Sequence, residues 1–242
     1  MDGFKLEALG GGITAVISDD HSFGTDAVLL ASFTAPKKND IACDMGSGCG
    51  IIPLIWCRDG LCKSITALEI QRKACEQIKE AVKLNGLSEK LFVVCGDLRD
   101  GNVLPEASFD VVSMNPPYKA PMSGKTSITE AALMARHEVT CKFSDAAKAA
   151  SKLLKFGGRF CVCHRPERLA DVVCAMRDSG IELKRIRTVA HKAGARPSLI
   201  LAEGKKGAKA GTIIEPVLVL KDENGNYTDE ALDFYGLYRN DI

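Results

Sequence analysis

Three features at the ends of successive apolar runs have residue types and spacings that can do chemistry. The first is Asp44-Met45-Gly46-Ser47-Gly48-Cys49-Gly50, which directly follows the run 41–45. Gly46 and Gly48 let the backbone turn tightly and approach a ligand, and amides at a helix start favour negative or electron-rich groups. Ser47 lies between them. The second is Glu69, 25 residues after Asp44 at the end of the next run, where a carboxylate can grip two ribose hydroxyls. The third is Asp97, after the following run, where it can accept from an adenine amino group. Ile70 and Leu98 adjoin these two acids and belong to the same candidate pocket. A dinucleotide fold calls for a third glycine three residues after the second, and that position is Ile51. This disfavours a pyrophosphate turn, and with it a nicotinamide cofactor. An adenosine ligand without phosphates fits better.

The most specific signal is Asn115-Pro116-Pro117-Tyr118, at the end of a fourth run. Consecutive prolines fix φ and remove two amide donors, which leaves carbonyls aimed in set directions. The Asn115 side-chain oxygen and the Pro116 carbonyl can together accept both protons of a planar amino group. Such a nitrogen becomes more electron-rich and its lone pair is directed at an electrophile. Tyr118 offers a face for a flat group, worth about 1–3 kcal/mol per base. No strong base is needed, because the nitrogen loses its proton after it attacks. Positioning does most of the work.

With its D-x-G-x-G-x-G loop and its acid ending the second strand, the sequence resembles the class I methyltransferases, which bind S-adenosylmethionine. The tetrad resembles that of the amino-methyltransferases acting on adenine N6, guanine N2 or the glutamine side-chain amide. That resemblance covers about residues 41–164 and implies a class of reaction, not a substrate.

The elements that must position these residues alternate along the chain. Strands are predicted at 41–45, 64–69, 91–95, 109–114 and 159–164. Helices are predicted at 50–59, 71–85 (ended by Asn85-Gly86), 144–155 (stopped by Gly157-Gly158) and 166–179. Strands alternating with helices mean βαβ units and a parallel sheet. Residues 181–189 and 213–220 are two late strands expected to form a hairpin, with 190–212 a long connection between them. Residues 119–142 form a second long connection. The expected fold is a Rossmann-like α/β domain with a seven-stranded, mostly parallel sheet and a C-terminal antiparallel hairpin. It spans 41–242, after an extension of forty residues too short to be a domain.

The outer segments point to a narrower family. SFGTDAVLLASF (22–33), ARHE (135–138), ARPSLILAEGKKG (195–207) and NYTDEALDFYGLY (226–238) resemble the bacterial tRNA(Val) adenine-N6 methyltransferase family. The resemblance implies that residues 1–40 close the cofactor pocket, with Thr25 and Asp26 touching the cofactor. It also implies a target adenine at position 37, next to the anticodon. Charge is a partly independent sign. The chain carries +1 overall, but 184–209 hold Lys184, Arg185, Arg187, Lys192, Arg196, Lys205, Lys206 and Lys209 against Glu203 alone, a local +7. Such a segment suits phosphate contact on one face, with Lys192, Arg196, Lys205 and Lys206 as the candidates. Alternative readings are a protein glutamine N5-methyltransferase, an rRNA guanine N2-methyltransferase, and a silent module that binds S-adenosylmethionine or tRNA.

Composition agrees with a globular chain: of 242 residues, 46% are hydrophobic and 26% charged. The charge balance excludes a uniformly basic nucleic-acid coat. Ten cysteines, six of them (Cys43, Cys57, Cys95, Cys161, Cys163, Cys174) inside apolar runs, read as small buried hydrophobes kept reduced, hence a cytoplasmic protein. The N-terminus lacks signal-peptide blocks, and no run reaches a membrane span. Cys161, Cys163 and His164 form only a partial cluster, so no metal site is expected. Among the residues of ARHE, Arg136 or Glu138 is expected to anchor its loop by ion pairing. Trp56 is expected in the core.

Overall fold

The computed structural model describes residues 4–19, 21–116 and 142–236. Among them are eleven strands: β1 Lys5–Ala8, β2 Thr14–Ile17, β3 Ile41–Met45, β4 Ser64–Glu69, β5 Leu91–Cys95, β6 Phe109–Met114, β7 Leu154–His164, β8 Ile181–Lys192, β9 Leu199–Lys206, β10 Ile213–Ile214 and β11 Leu218–Lys221. Six α-helices accompany them: α1 Thr25–Thr34, α2 Ile51–Arg58, α3 Arg72–Leu84, α4 Phe143–Leu153, α5 Leu169–Asp178 and α6 Asp229–Tyr235.

Nine strands form one sheet in the order β10-β8-β9-β7-β6-β3-β4-β5, with β11 also paired to β8. All pairings in it are parallel except those of β9 with β7 and β8. Seven of these strands, β3 to β9, match the expected number, and six of them, β3 to β8, lie where they were expected. The other two are short edge strands that lie end to end along β8.

The late hairpin is real but lies elsewhere in the chain than expected. β8 turns back into β9, which occupies 199–206 inside the stretch read as a long connection. The run LILAEGKK alternates poorly and ends in charge, so it lacks a strand's usual signature. Its apolar half, Leu199–Ala202, is nevertheless buried between two neighbours. Residues 213–220 are not one strand, because Pro216 interrupts them and cannot donate to a ladder. Gly157-Gly158 also has a different role. Helix α4 stops at Leu153 and β7 begins at once, with Gly157 at φ 78° inside it. There the register against β6 slips between Phe109 and Val111.

Helices cover both faces. Ile78, Ala81 and Val82 of α3 lie on one stripe and join α1, α2 and α6 against one face. Ala146, Ala150 and Leu153 of α4, with Val172 and Met176 of α5, pack on the other. Helix α2 is apolar almost all round and accordingly buried. Trp56 is in the core as expected, and its indole N–H donates to the Ala31 carbonyl at 3.1 Å.

The described residues among the first forty are built into this core. Ala27–Ala31 and Phe33 of α1 are buried. The carbonyls at the helix's C-terminal end, Phe33 and Thr34, accept from Arg185 and Arg159. The Arg185 guanidinium also stacks 3.9 Å over Phe33. Hairpin β1–β2 is held by Asn85, whose side chain accepts from the Thr14 N–H and donates back to the Thr14 carbonyl. The tail folds against α1, where the Ser32 hydroxyl donates to the Phe234 carbonyl.

Candidate functional site

β3 has β4 on one side and β6 on the other, so the chain's winding reverses there. Ligands in such sheets sit beyond the carboxyl ends of the strands at this reversal. The glycine loop, Glu69, Asp97 and Asn115 all emerge at that edge, from β3, β4, β5 and β6.

The loop is locked from below. Gly46 and Ser47 N–H groups both donate to the Leu68 carbonyl, at 2.8 and 3.1 Å. Two of its glycines act differently. Gly50 has φ 81°, and a Cβ there would come within 3.0 Å of Ile78, so the residue is needed for the turn and for helix packing. Gly48 has φ 56°, but a Cβ there would meet nothing within 4 Å. The space beside Gly48 is open, as a ligand that approaches the backbone requires.

Glu69 is 4% exposed and fixed at both oxygens. Oε2 accepts from the Gly48 N–H at 2.9 Å and Oε1 from the Gln71 N–H at 2.8 Å. A carboxylate has about four acceptor positions, so two backbone bonds leave room for a diol. Ile70 next to it is 46% exposed, an apolar surface on which a flat base can lie. Asp97 is held in a fork by the Arg99 guanidinium, which keeps its carboxyl below the usual range. Leu98 is half-buried against the core beneath. These groups fit an adenosine cofactor on their own geometry: an open glycine turn, a pre-aimed carboxylate and an apolar face.

Asp44 has a structural place under the loop. It is buried, and its Oδ1 accepts from Ser113 of β6 while its Oδ2 accepts from Ser47 at 2.8 Å. It thereby ties the cofactor loop to the strand that carries the tetrad. Burial pushes its carboxyl up to about 7, against the two serine bonds, and the Glu69 charge adds to the rise. A raised carboxylate means the folded chain keeps a proton that the unfolded chain has released between about pH 4 and 7. Stability therefore falls as pH rises through that window, by at most about 4 kcal/mol for a three-unit shift. Thermal unfolding of Asp44→Asn should show this slope flattened relative to wild type. An unchanged slope would assign the pH dependence to other groups.

Asn115 is half-buried and Pro116 buried, immediately beyond β6. The Asn115 Oδ1 accepts from the Cys163 thiol at 2.8 Å. Pro117, Tyr118 and the ARHE stretch lie outside the described residues. Thr25 and Asp26 begin α1. Since the other end of that helix meets Arg159 and Arg185 near the amino ends of the strands, its start faces the carboxyl ends.

The basic segment is divided by the fold. Arg185 bridges Glu203 and Glu215, Arg187 binds the Pro216 carbonyl and Glu230, and Lys184 donates to the Lys209 carbonyl. The Lys206 ammonium donates to the Ser151 and Leu154 carbonyls at the end of α4, where a cation complements the helix dipole. Lys205 and Lys206 end β9 beside the amino ends of the parallel strands. Lys192, the last residue of β8, and Arg196, in the β8–β9 turn, are exposed at the carboxyl edge. Lys205 pairs with Glu182, so by strand rise along β8 the two pairs are roughly 30 Å apart, at opposite ends of the sheet.

Nine cysteines lie among the described residues. Seven are buried, while Cys95 and Cys174 are exposed, contrary to the apolar-run reading. The Nδ1 of His164 accepts from the Arg165 N–H at 2.8 Å, and burial with nearby Arg168 lowers the imidazole to about 4. Among the described residues no group of three or more potential ligands is placed to hold a metal, and no helix is long and apolar enough to cross a membrane.

Three residues of the site escaped sequence reasoning. Ser113 had a signal, being a polar residue within the buried stretch Val111–Met114, two positions before Asn115. Arg99 had only its spacing from Asp97. Cys163 had none, because it meets Asn115 only through the register of β6 against β7.

A sheet of this order, with a glycine loop and an acid at the winding reversal, defines the class I methyltransferase fold. The chain belongs to the methyltransferase small domain family, which matches residues 14–167. It is 27% identical over 213 residues to a Flavobacterium psychrophilum protein named tRNA1(Val) (adenine(37)-N6)-methyltransferase, covering 86% of this chain and 88% of that one. A Bacteroides fragilis protein of the same name is 31% identical over 145 residues, 57% of this chain and 58% of its own. Among solved structures, a predicted O-methyltransferase from Agrobacterium tumefaciens superposes with a TM-score of 0.68 at 20% identity, covering 87% of this chain and 95% of that one. P. horikoshii TYW2 in complex with MeSAdo gives 0.59 at 14% identity, covering 86% and 73%. At these identities the structures share the fold. The chain is a methyltransferase.

Proposed function

We propose that this methyltransferase uses S-adenosylmethionine to methylate the N6 of an adenine in tRNA, at position 37 beside the anticodon. The observation that carries the reading is the meeting of Asn115 and the glycine loop at one edge of the sheet, joined through Ser113 and Asp44. The similarity to proteins named for this reaction, extending over 86% of the chain, supports the substrate.

Bound in this pocket, the cofactor supplies an electrophilic methyl group. Glu69 holds the ribose hydroxyls with the acceptor positions its two backbone bonds leave over. Ile70 and Leu98 line the adenine, and Asp97 receives its amino group while sharing its carboxylate with Arg99. The Asn115 Oδ1 and the Pro116 carbonyl accept the two N6 hydrogens of the target and turn its lone pair toward the methyl. Tyr118 stacks on the target base, which has to leave its own stack to arrive. Lys192 and Arg196, at this edge, contact the phosphate backbone, so binding weakens steeply with salt.

The test is transfer of labelled methyl from S-adenosylmethionine to unmodified bulk tRNA, followed by digestion to nucleosides. Label is expected in N6-methyladenosine. RNase-resistant label in protein, with none in nucleosides, would overturn the RNA reading in favour of an amide substrate.

A further inference from the structure

Cys163 lies in β7, fully buried, one position beyond the Met114↔Val162 pair that aligns β6 with β7. That register brings it beside Asn115, and its thiol donates to Asn115 Oδ1 at 2.8 Å. We propose that Cys163 is a positioning residue that selects the amide orientation of Asn115 required for accepting an amino group. The proposal rests on the functional reading above.

An asparagine amide has two nearly isosteric orientations, one presenting oxygen and the other an NH2 group. A planar amino substrate brings two donors. Only the orientation with oxygen forward can accept from it, whereas the reverse sets donor against donor. The neighbouring strand therefore has to decide which orientation is populated before substrate arrives. A thiol is a weak donor, but in a dry apolar setting a weak donor suffices to bias two otherwise similar states. It occupies one of the two lone pairs of Oδ1 and leaves the other for the substrate hydrogen. Orientation established in advance, without reorganisation at the moment of reaction, is the kind of contribution that appears in kcat.

Cys161 provides an internal control. It is buried on the same strand and the same side, but its thiol faces Glu203 at 3.6 Å. Cys163→Ala should lower kcat for tRNA methylation by roughly ten- to a hundredfold, with KM for tRNA and Kd for S-adenosylmethionine within about threefold of wild type. Cys163→Ser restores a donor at nearly the same place and should recover most of the rate. Cys161→Ala, which opens a similar cavity, should leave kcat unchanged. A readout independent of turnover is the side-chain amide resonance pair of Asn115, assigned by its loss in Asn115→Ala. It should shift in Cys163→Ala and keep its wild-type position in Cys161→Ala. Unchanged kcat together with an unmoved Asn115 amide would overturn the assignment, as would equal rate losses in the Cys163→Ala and Cys161→Ala variants. If wild type itself methylates no tRNA, the functional reading fails, while the amide resonances still decide whether Cys163 orients Asn115.

Discussion

Asn115→Ala should reduce kcat for methyl transfer by about 10²–10³-fold, the usual cost of losing one pre-aimed polar group at a reacting centre. The Kd for S-adenosylmethionine should stay within about threefold, because Asn115 projects from β6 while the cofactor groups sit on β3, β4 and β5. What decides the size of the effect is which state the oxygen serves. In the ground state the target nitrogen's lone pair is delocalised into the ring, and acceptors matter little. As the nitrogen takes on positive charge its hydrogens become stronger donors, and the Asn115 oxygen and the Pro116 carbonyl bind them more tightly. Asn115→Asp keeps the acceptors and should fall between wild type and Ala. Single-turnover methylation with cofactor binding by calorimetry checks both halves. If Asn115→Ala methylates at the wild-type rate, the tetrad is a strand cap and catalysis lies elsewhere.

Glu69→Gln should weaken cofactor binding by about 10–100-fold, equivalent to roughly 1.4–2.7 kcal/mol. Each Glu69 oxygen already accepts a backbone N–H, from Gly48 and from Gln71. An amide at this position sets an NH2 group against one of those donors, so the variant loses a ribose acceptor and disturbs the loop together. Hydrogen bonds to a charged acceptor are worth about 1.5–3 kcal/mol each, which sets the scale. The effect should appear in Kd for S-adenosylmethionine and in KM for it, with kcat at saturating cofactor changed far less. Affinity equal to wild type would mean that Glu69 only braces the loop. Glu69→Ala offers a further comparison, since it removes the loop's anchor outright and should unfold at lower temperature than Glu69→Gln.

These two residues were legible in the sequence because each stands at a strand end next to an unambiguous local signal. Glu69 closes an apolar run of strand length, and Asn115 opens a double-proline turn. The same held for most elements from β3 to β7, where buried parallel strands read as continuous apolar runs. The C-terminal third was less legible. β9 carries Gly204 and two lysines, and its strand character comes from being enclosed by β7 and β8. The charge run was only partly legible for a related reason. Side-chain type reports a cation, but only packing reports that Arg185 and Arg187 are spent on Glu203, Glu215 and Glu230.

Residue type and spacing along one chain thus carry the class of chemistry: the glycine turn, the two acids and the tetrad are local patterns, set by backbone conformation and by what a carboxylate or a carbonyl can accept. Contacts between strands distant in sequence settled the rest. The Ser113–Asp44–Ser47 link, the Cys163 thiol on Asn115 and the parting of Lys192 and Arg196 from Lys205 and Lys206 depend on strand order and register. Those are fixed by how nine strands bury their faces together, a global balance of packing that no window of a few residues encodes.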